Sequence, residues 1–432
     1  MPDILKLLKN ASLAAILAGS GAAIAAGPTS VAPDSVSGRW NASLTTQSGT
    51  VIPFRLDISG SGPTLKGTLY NGFQPYEGTT SATFQDGKLV LSIEHYLTTI
   101  TATVKDGQLT GAVVTQRAQY SFLATRYVKP PSAPTDVPSI AGSWEIPLDT
   151  PTSKDEKSYR FIVEQNGPDV AASILRVDGD TGAYSGTYKD NKWVLSHFDG
   201  SRPGVIIVSV GKEGTLEIED GHSAAALVAY RSEVARAKGL PEPADYETHT
   251  TVRDPNERFT FNFPDVNGTL VSNEDPRFKG KVVLAIVTGT WCPNCHDEAQ
   301  YLVKLDKKYR SKGLAIVALD FEEPEQQGSL ARQRAFVKQY GVKYTYLIAG
   351  APAELGQKVP QAVNLNTWPA TIFVGRDGLV KGVHSGFASP ATGEFNRRLQ
   401  KEFTARIEKL LAEKPTADTA QSAAPTARSG PG

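Results

Sequence analysis

Cysteine is scarce in this sequence: its 432 residues include only two, Cys292 and Cys295, arranged as Cys-x-x-Cys. This number excludes a scaffold stapled by several disulfides, and it excludes a zinc site built from four cysteines. A mixed zinc site would need two more ligands from the six histidines or from carboxylates, so we expect no metal site. A structural disulfide across so small a loop would constrain the unfolded chain little. The scarcity of cysteine therefore favours a redox role for this pair.

Net charge is also absent, because 45 lysines and arginines balance 45 aspartates and glutamates. A neutral chain has no general attraction for nucleic acid or for an acidic membrane surface, so we expect no nucleic-acid partner. Hydrophobic residues make up 40% of the chain, which is enough for real cores. The length favours two or three domains over one.

Residues 1–27 have the pattern of an export signal peptide. Lys6 and Lys9 precede an apolar stretch from Ala11 to Ala26, and Ala23-Ile24-Ala25 offers a cleavage site. The apolar part is shorter than the roughly 20 residues of a membrane span, so an uncleaved anchor is the alternative. The absence of a nearby cysteine excludes a lipid anchor on cysteine. We expect a periplasmic or otherwise extracytoplasmic protein that touches the membrane only if this segment is retained.

Residues 36–128 and 138–231 are predicted to be two copies of one all-β module. Each has short runs of alternating apolar and polar residues separated by turn dipeptides, which is typical of antiparallel strands. The tripeptide Gly38-Arg39-Trp40 recurs as Gly142-Ser143-Trp144, shifted by 104 positions, after a proline-rich linker. Each copy has room for roughly seven or eight strands, as in an antiparallel barrel or sandwich.

The β modules carry no chemistry that the sequence reveals. Their histidines, His95, His197 and His222, occur singly, so we predict ordinary polar or surface residues. The modules are expected to space or dock a catalytic domain, or alternatively to bind a small apolar ligand and carry the function themselves.

Residues 232–256 are predicted to be a charged linker, residues 257–413 an α/β domain, and residues 414–432 a disordered tail. Within the α/β domain a buried strand is predicted at residues 282–287, and helical spacing begins just after Cys295. A Cys-x-x-Cys pair at a helix N-terminus lies in partial positive charge, which favours a thiolate. The spacing puts both sulfurs on one face of the first turn, so the pair can exchange two electrons.

Four features of this domain resemble the extracytoplasmic TlpA/ResA-type thiol-disulfide oxidoreductases, which have the thioredoxin fold. They are Phe-Pro-Asp-x-x-Gly at Phe263 to Gly268, the Trp-Cys-x-x-Cys motif, a proline at Pro369 before the final hairpin, and an inserted strand–helix segment between Leu319 and Thr367. The resemblance covers about a third of the chain.

The resemblance implies a role for each matching residue. Cys292 would attack a substrate disulfide, and Cys295 would resolve the mixed disulfide, with no cofactor besides the Cys292–Cys295 disulfide. Glu298 corresponds to a buried carboxylate that tunes a thiol pKa or relays its proton, with a solvated surface glutamate as the alternative. Ile286 replaces the buried strand carboxylate of ordinary thioredoxins, which leaves Glu298 as the nearby candidate.

Substrate binding is predicted for Trp291, Pro293, Asn294, Trp368 and Pro369, with Pro369 at the position of the family's cis-proline. Trp368 departs from the family pattern, in which smaller residues are more familiar, and is expected to narrow or reshape the substrate groove. The implied partners are protein thiols and disulfides together with a membrane electron donor. The function expected is an exported reductase of protein disulfides, with a peroxiredoxin-type thiol peroxidase as an alternative. Three further residues near the motif are interpreted from the sequence alone: His296 as an exposed helix residue, with stabilisation of a thiolate as the alternative, and Glu322 and Glu323 as a charged loop.

Overall fold

The computed structural model describes residues 35–129, 136–221 and 225–414. The predicted signal peptide, most of the proline-rich linker, His222 and nearly all of the predicted tail lie outside these residues. Within the described ranges, no helix is both long enough and apolar enough to cross a bilayer.

The first β module is an open antiparallel sheet of nine strands. Its order, β4-β3-β2-β1-β9-β8-β7-β6-β5, leaves β4 and β5 as edges. The curved sheet encloses a core that includes Trp40, Leu56 and Phe122. The strands are β1 Gly38–Thr45, β2 Val51–Ser59, β3 Lys66–Asn71, β4 Gln74–Gly78, β5 Ser81–Gln85, β6 Lys88–Ile93, β7 Thr98–Lys105, β8 Gln108–Val114 and β9 Gln119–Arg126.

The second β module closes into a barrel, because β11 pairs with both β10 and β12. Its core surrounds Trp144, Phe161 and Trp193. Its strands are β10 Gly142–Pro147, β11 Ser158–Asn166, β12 Asp169–Arg176, β13 Gly179–Asp180, β14 Tyr184–Lys189, β15 Lys192–His197, β16 Gly204–Val210, β17 Leu216–Glu219 and β18 Leu227–Arg231.

Equivalent residues of the two modules make equivalent contacts. Trp40 donates its indole N–H to the Val36 carbonyl over 2.9 Å, and Trp144 does the same to the Ile140 carbonyl. A guanidinium lies over each indole, at 4.0 Å for Arg126 and at 3.9 Å for the corresponding arginine of the second module. Short periodic strands therefore build the same local geometry twice.

The modules also pack on each other. Phe198, which follows β15, is fully buried in the core of the first module. Thr98 donates a hydrogen bond of 2.7 Å to the Gly200 carbonyl in the same segment. The open first sheet is therefore filled partly by a loop of the second module.

The C-terminal domain contains a five-stranded mixed sheet in the order β24-β23-β22-β26-β27. Strands β22, β23 and β24 are parallel, whereas β26 and β27 run antiparallel, so the predicted antiparallel edge is present. This architecture confirms the predicted fold class of two all-β modules followed by a thioredoxin-like α/β domain. The strands are β19 Thr251–Val252, β20 Asn262–Pro264, β21 Leu270–Ser272, β22 Val282–Thr288, β23 Leu314–Phe321, β24 Thr345–Gly350, β25 Ala362–Val363, β26 Ala370–Val374 and β27 Val380–Ser385.

The three long helices of this domain pack on one face of the sheet, and a segment that includes Phe259, Phe261 and Phe278 packs on the other, so every residue of the central strand β22 is buried. An uninterrupted apolar strand is what a sheet covered on both faces requires. Gly341 ends the fourth helix with a φ of 63°, as a left-handed helix C-cap does. The helices are α1 Ser232–Ala237, α2 Pro293–Tyr309, α3 Pro324–Gln327, α4 Ala331–Tyr340, α5 Leu355–Lys358 and α6 Glu394–Ala412.

The segment predicted as a linker packs against the C-terminal domain after the short helix α1. Glu247 contacts His384 at 2.7 Å and Arg406 at 2.5 Å, and Thr250 is 2% exposed. Glu247 and Thr250 of this stretch therefore bind the domain, although Arg253 and other charged residues of the stretch are exposed.

Candidate active site

Cys292 is the N-cap of α2, and its sulfur accepts a hydrogen bond from the Cys295 amide over 3.4 Å. Pro293 occupies the first turn, where an amide N–H would have no partner within the helix. Both cysteines are free thiols, with exposed fractions of 4% for Cys292 and 1% for Cys295. The strand β22 and the helix α2 thus place both thiols at the carboxyl end of the central strand.

Burial raises the pKa of the Cys295 thiol well above its ordinary value, and the hydrogen bond to Cys292 adds to the rise. Cys295 therefore stays protonated, while Cys292 lies at the helix N-terminus as the N-cap residue. The geometry therefore distinguishes the Cys292 sulfur at the helix terminus from the Cys295 sulfur one turn inside the helix.

Glu298 is buried one turn beyond Cys295, with an exposed fraction of 1%. Thr371 on β26 donates a hydrogen bond of 2.6 Å to its carboxyl group. Burial raises the pKa of Glu298 to about 8, although the Thr371 hydrogen bond opposes the rise. The alternative of a solvated surface glutamate is wrong, because α2 turns this face toward the sheet.

The peptide bond between Trp368 and Pro369 is cis. The Cys292 thiol donates to the Trp368 carbonyl over 3.3 Å, so this turn lies directly against the Cys292 sulfur. The rings of Trp291 and Trp368 lie 5.5 Å apart, and the Trp291 indole donates to the Phe321 carbonyl. Two tryptophans therefore flank the thiol and shape its surroundings.

A buried polar network fixes the loop that precedes the cysteines. The carboxylate of Glu322 accepts hydrogen bonds from the amide and the hydroxyl of Thr290. Arg332 from α4 pairs with Glu322 at 2.6 Å and donates to the Thr290 hydroxyl at 2.7 Å. Sequence analysis noted only a charged loop at Glu322 and missed Arg332, because a lone arginine in an amphipathic helix gives no sign that it points inward.

His296 is fully buried, so the prediction of an exposed helix residue is wrong. Its Nε2 donates to the Thr290 carbonyl over 2.8 Å, and its Nδ1 accepts from the Tyr340 hydroxyl over 2.9 Å. Burial, together with the neighbouring His95, lowers the pKa of His296 to about 3. The neutral imidazole therefore supports the motif loop and does not supply positive charge to Cys295.

The β modules contribute contacts to this region, although the sequence revealed no chemistry in residues 36–231. His95 is fully buried with its ring 5.5 Å from that of His296, and His197 pairs with Asp199 at 3.5 Å in the interior. The Tyr76 hydroxyl donates to Asp297 on α2 over 2.9 Å. The prediction of surface histidines fails for His95 and His197 because domain packing, which sequence periodicity does not encode, buries them.

The second β module contacts the residues next to Cys292. Asn294 donates its side-chain amide to the Asp178 carbonyl over 3.0 Å, and Gly179 bridges to Phe387. A cleft of about 470 Å³ remains between this module and the thiol, lined by Cys292, Trp291, Pro293 and Trp368 on one side. The residues assigned to substrate binding therefore lie together around Cys292, with Pro369 immediately behind them.

A Cys-x-x-Cys pair at a helix N-terminus, on the central strand of a mixed sheet and beside a cis-proline, defines a thioredoxin-like protein. Residues 253–397 match the family model described as Redoxin. The chain belongs to the thioredoxin-like family through this domain, which confirms the predicted resemblance. The thioredoxin-like protein YneN of Bacillus subtilis (strain 168) is 31% identical over 128 residues, which are 29% of this chain and 68% of that protein.

Other relatives carry the name thiol-disulfide oxidoreductase ResA. The protein from Bacillus thuringiensis (strain Al Hakam) is 33% identical over 116 residues, which are 27% of this chain and 60% of that protein. The protein from Bacillus subtilis (strain 168) is 29% identical over 126 residues, which are 29% of this chain and 64% of that protein. The chain thus spans less than two thirds of the length of these ResA proteins.

Among solved structures, that of a putative thiol:disulfide interchange protein DsbE from Chlorobium tepidum is 20% identical, with a TM-score of 0.29. The matched region covers 36% of this chain and 99% of the chain in that structure.

Proposed function

We propose that this protein is a thiol-disulfide oxidoreductase that works outside the cytoplasm, with Cys292 as the attacking thiol. One observation carries the proposal: the Cys292 sulfur caps α2, accepts the Cys295 amide and lies against the turn before Pro369. The ResA name of the relatives supports the same chemistry.

The proposed reaction passes through a mixed disulfide. The Cys292 thiolate attacks one sulfur of the substrate disulfide, forms a bond to it and releases the other sulfur as a thiolate. Cys295 then attacks the Cys292 sulfur, which releases the second substrate thiolate. The enzyme becomes the Cys292–Cys295 disulfide, and two electrons reduce the substrate to two thiols.

Resolution requires that Cys295 lose its proton in a buried site. Glu298 lies one helical turn from Cys295, and a carboxyl group with a pKa of about 8 exchanges protons readily near neutral pH. We assign to Glu298 the positioning role of exchanging that proton. Thr371 holds the carboxyl group in place through its 2.6 Å hydrogen bond.

Export and partners belong to the proposal as well. The N-terminal pattern supports an extracytoplasmic location, where a pair that reduces disulfides needs a source of electrons. A membrane electron donor, as the resemblance implies, would supply them, and protein disulfides are the substrates that the same resemblance predicts.

The reduction potential of the Cys292–Cys295 pair, measured by equilibration in dithiothreitol buffers, tests the proposal first. A value near about −270 mV is expected for a reductase, whereas a value near about −120 mV would mark an oxidant. A pair that never forms its disulfide in oxidising buffer would overturn the proposal.

Two matched variants separate the roles of the sulfurs. Cys292→Ser should abolish exchange, and Cys295→Ser should retain one attack and accumulate a mixed disulfide, detected by intact mass. Accumulation in Cys292→Ser instead would reverse the assigned roles.

A further inference from the structure

The Cys292 sulfur faces the polar cleft of about 470 Å³ beneath the second β module. This volume lies within the range of roughly 300–1,000 Å³ that is usual for small-molecule sites. The thiol itself is nearly inaccessible from elsewhere, since Cys292 is 4% exposed. A substrate therefore has to enter this cleft to reach the reacting sulfur.

The turn between β12 and β13 closes one side of the cleft. Its Asp178 carbonyl accepts from Asn294 over 3.0 Å and from the Phe387 amide over 3.4 Å. The buried carboxylate of Asp180 accepts from the amide and the hydroxyl of Ser389, over 2.7 and 3.0 Å. These bonds join the turn and β13 to Asn294 of the motif and to the segment that follows β27.

The packing of this turn against the segment that follows β27 leaves no room for side chains between the two backbones. A Cβ atom on Gly179 would lie 2.3 Å from the Phe387 carbonyl oxygen, and one on Gly386 would lie 2.3 Å from the Val177 carbonyl oxygen. The surface beside the motif, where an extended polypeptide would have to lie, is thus already occupied by the chain itself.

The first β module closes a second side. Arg117 pairs with Glu323, and Gln116 accepts from Arg332, so this module is bonded to the loop behind Trp291. A folded protein surface has no free approach to Cys292 between the two modules.

The charged groups that line the cleft leave two cations without ionic partners. Each lining carboxylate already has a partner within the protein. Asp178 pairs with Lys154 at 2.5 Å, Asp180 binds Ser389, Asp199 pairs with His197, and Asp297 accepts from Tyr76.

Arg176 and Arg202 are exposed and form no ion pair in the described part of the chain. The guanidinium of Arg202 lies 6.0 Å from the Trp291 ring centroid, next to the reacting cysteine. Planar guanidinium groups bind carboxylates through paired hydrogen bonds.

We propose that the substrate of Cys292 is a low-molecular-weight disulfide that bears carboxylate groups, bound in this cleft by Arg176 and Arg202. The inference rests on the proposed oxidoreductase function and replaces the protein disulfides that the resemblance predicts with small disulfides as its substrates. Attack forms the bond between Cys292 and one substrate sulfur and releases the other half as a thiolate. Cys295 completes the two-electron reduction, and a dithiol reductant regenerates the pair.

The test compares three disulfides with the full chain under dithiothreitol regeneration: glutathione disulfide, uncharged hydroxyethyl disulfide and insulin. The rate per disulfide should be highest for glutathione disulfide and at least about tenfold lower for insulin. The double variant Arg176→Ala/Arg202→Ala should lose about tenfold or more of kcat/KM for glutathione disulfide, as loss of charged hydrogen bonds predicts. Hydroxyethyl disulfide should change by less than about twofold, because it carries no charge for the arginines to bind.

Arg253→Ala, an exposed arginine on the same chain but outside the cleft, is the control and should leave all three rates unchanged. Insulin reduced as fast as glutathione disulfide, or equal loss for charged and uncharged disulfides, would overturn the inference while leaving the oxidoreductase intact. Failure with all three disulfides would overturn the proposed function itself.

Binding gives a readout that needs no turnover. S-Methylglutathione cannot exchange, and it should slow the alkylation of Cys292 by iodoacetamide in the unmodified protein but not in the double arginine variant. Equal alkylation rates with and without S-methylglutathione in the unmodified protein would count against the cleft as the binding site.

Discussion

Thr371 and Glu298 form a buried pair behind the two thiols, with 2.6 Å between the threonine hydroxyl and the carboxyl oxygen. The pair joins β26 to α2, so it connects the strand that follows Pro369 with the helix that carries both cysteines. Two elements far apart in sequence thereby hold the Glu298 carboxyl group at a fixed position one helical turn from Cys295.

Glu298→Gln should flatten the pH dependence of stability. The pKa of Glu298 rises from 4.5 to about 8 on folding, so the folded state holds a proton that the unfolded state loses between these values. The free energy of unfolding of the unmodified protein should therefore fall as pH rises from about 5 to 8. Urea unfolding at both pH values measures the slope, and Glu402→Gln, on the exposed face of α6, is the matched control.

The same variant should shift the pH profile for alkylation of the thiols, because Glu298 adds to the raised pKa of Cys295. Thr371→Val removes a hydrogen bond that lowers the pKa of Glu298. This variant should therefore move the inflection of the alkylation profile to higher pH. Unchanged alkylation profiles in both variants would remove Glu298 from the mechanism.

His296→Gln should reduce acid sensitivity. Burial lowers the pKa of His296 from 6.5 to about 3, so the unfolded state takes up a proton first as pH falls. The contribution of the buried neutral His296 to stability is fully present above about pH 6.5, and it is lost progressively as the pH falls toward 3. Urea midpoints at pH 7 and 4.5 should differ less in the variant. His249→Gln should retain the full difference, and an equal difference in His296→Gln would show that other groups cause the acid loss.

Arg332→Met should destabilise the protein by about 3–5 kcal/mol, because it leaves the buried Glu322 carboxylate without its cation. The double variant Arg332→Met/Glu322→Leu should recover much of that loss, since no charge then stays buried alone. Chemical denaturation measures both. Arg334→Ala, exposed on the same helix, should cost less than about 1 kcal/mol. If Arg332→Met lowers the free energy of unfolding no more than Arg334→Ala does, the network of Arg332 and Glu322 does not stabilise the protein.

Gly179→Ala should loosen the contact of the second β module with the motif. The added Cβ would meet the Phe387 carbonyl oxygen at 2.3 Å, whereas a Cβ on Gly167 meets no atom within 4 Å. Both glycines have a positive φ, 118° for Gly179 and 59° for Gly167, so Gly167→Ala controls for part of the backbone strain without the clash. Bulky polyethylene glycol maleimide should label Cys292 faster in Gly179→Ala only. Equal labelling in the two variants would mean that this contact does not limit access to the thiol.

Local patterns in the sequence were enough for the elements that carry the chemistry. The buried strand ending before the motif, the helix beginning at Pro293 and the turn at Pro369 each follow from apolar runs and residues with fixed backbone preferences. These signals lie within a few residues of one another, so no knowledge of distant packing is needed. The strands of both β modules were indicated by their alternation and their turn dipeptides in the same way.

Packing between distant segments decided the environment of the cysteines. Whether Glu298, His296 and His95 face water or the interior depends on elements from 44 to more than 200 residues away, such as Tyr340 and Thr371. The docking of Asp178 and Gly179 beside Asn294 likewise joins residues 116 positions apart. Periodicity records which face of an element is apolar but not which surface covers it. The sequence by itself therefore determined the redox pair and its fold, whereas the tertiary structure alone decided the burial, the proton affinities and the enclosed cleft around the pair.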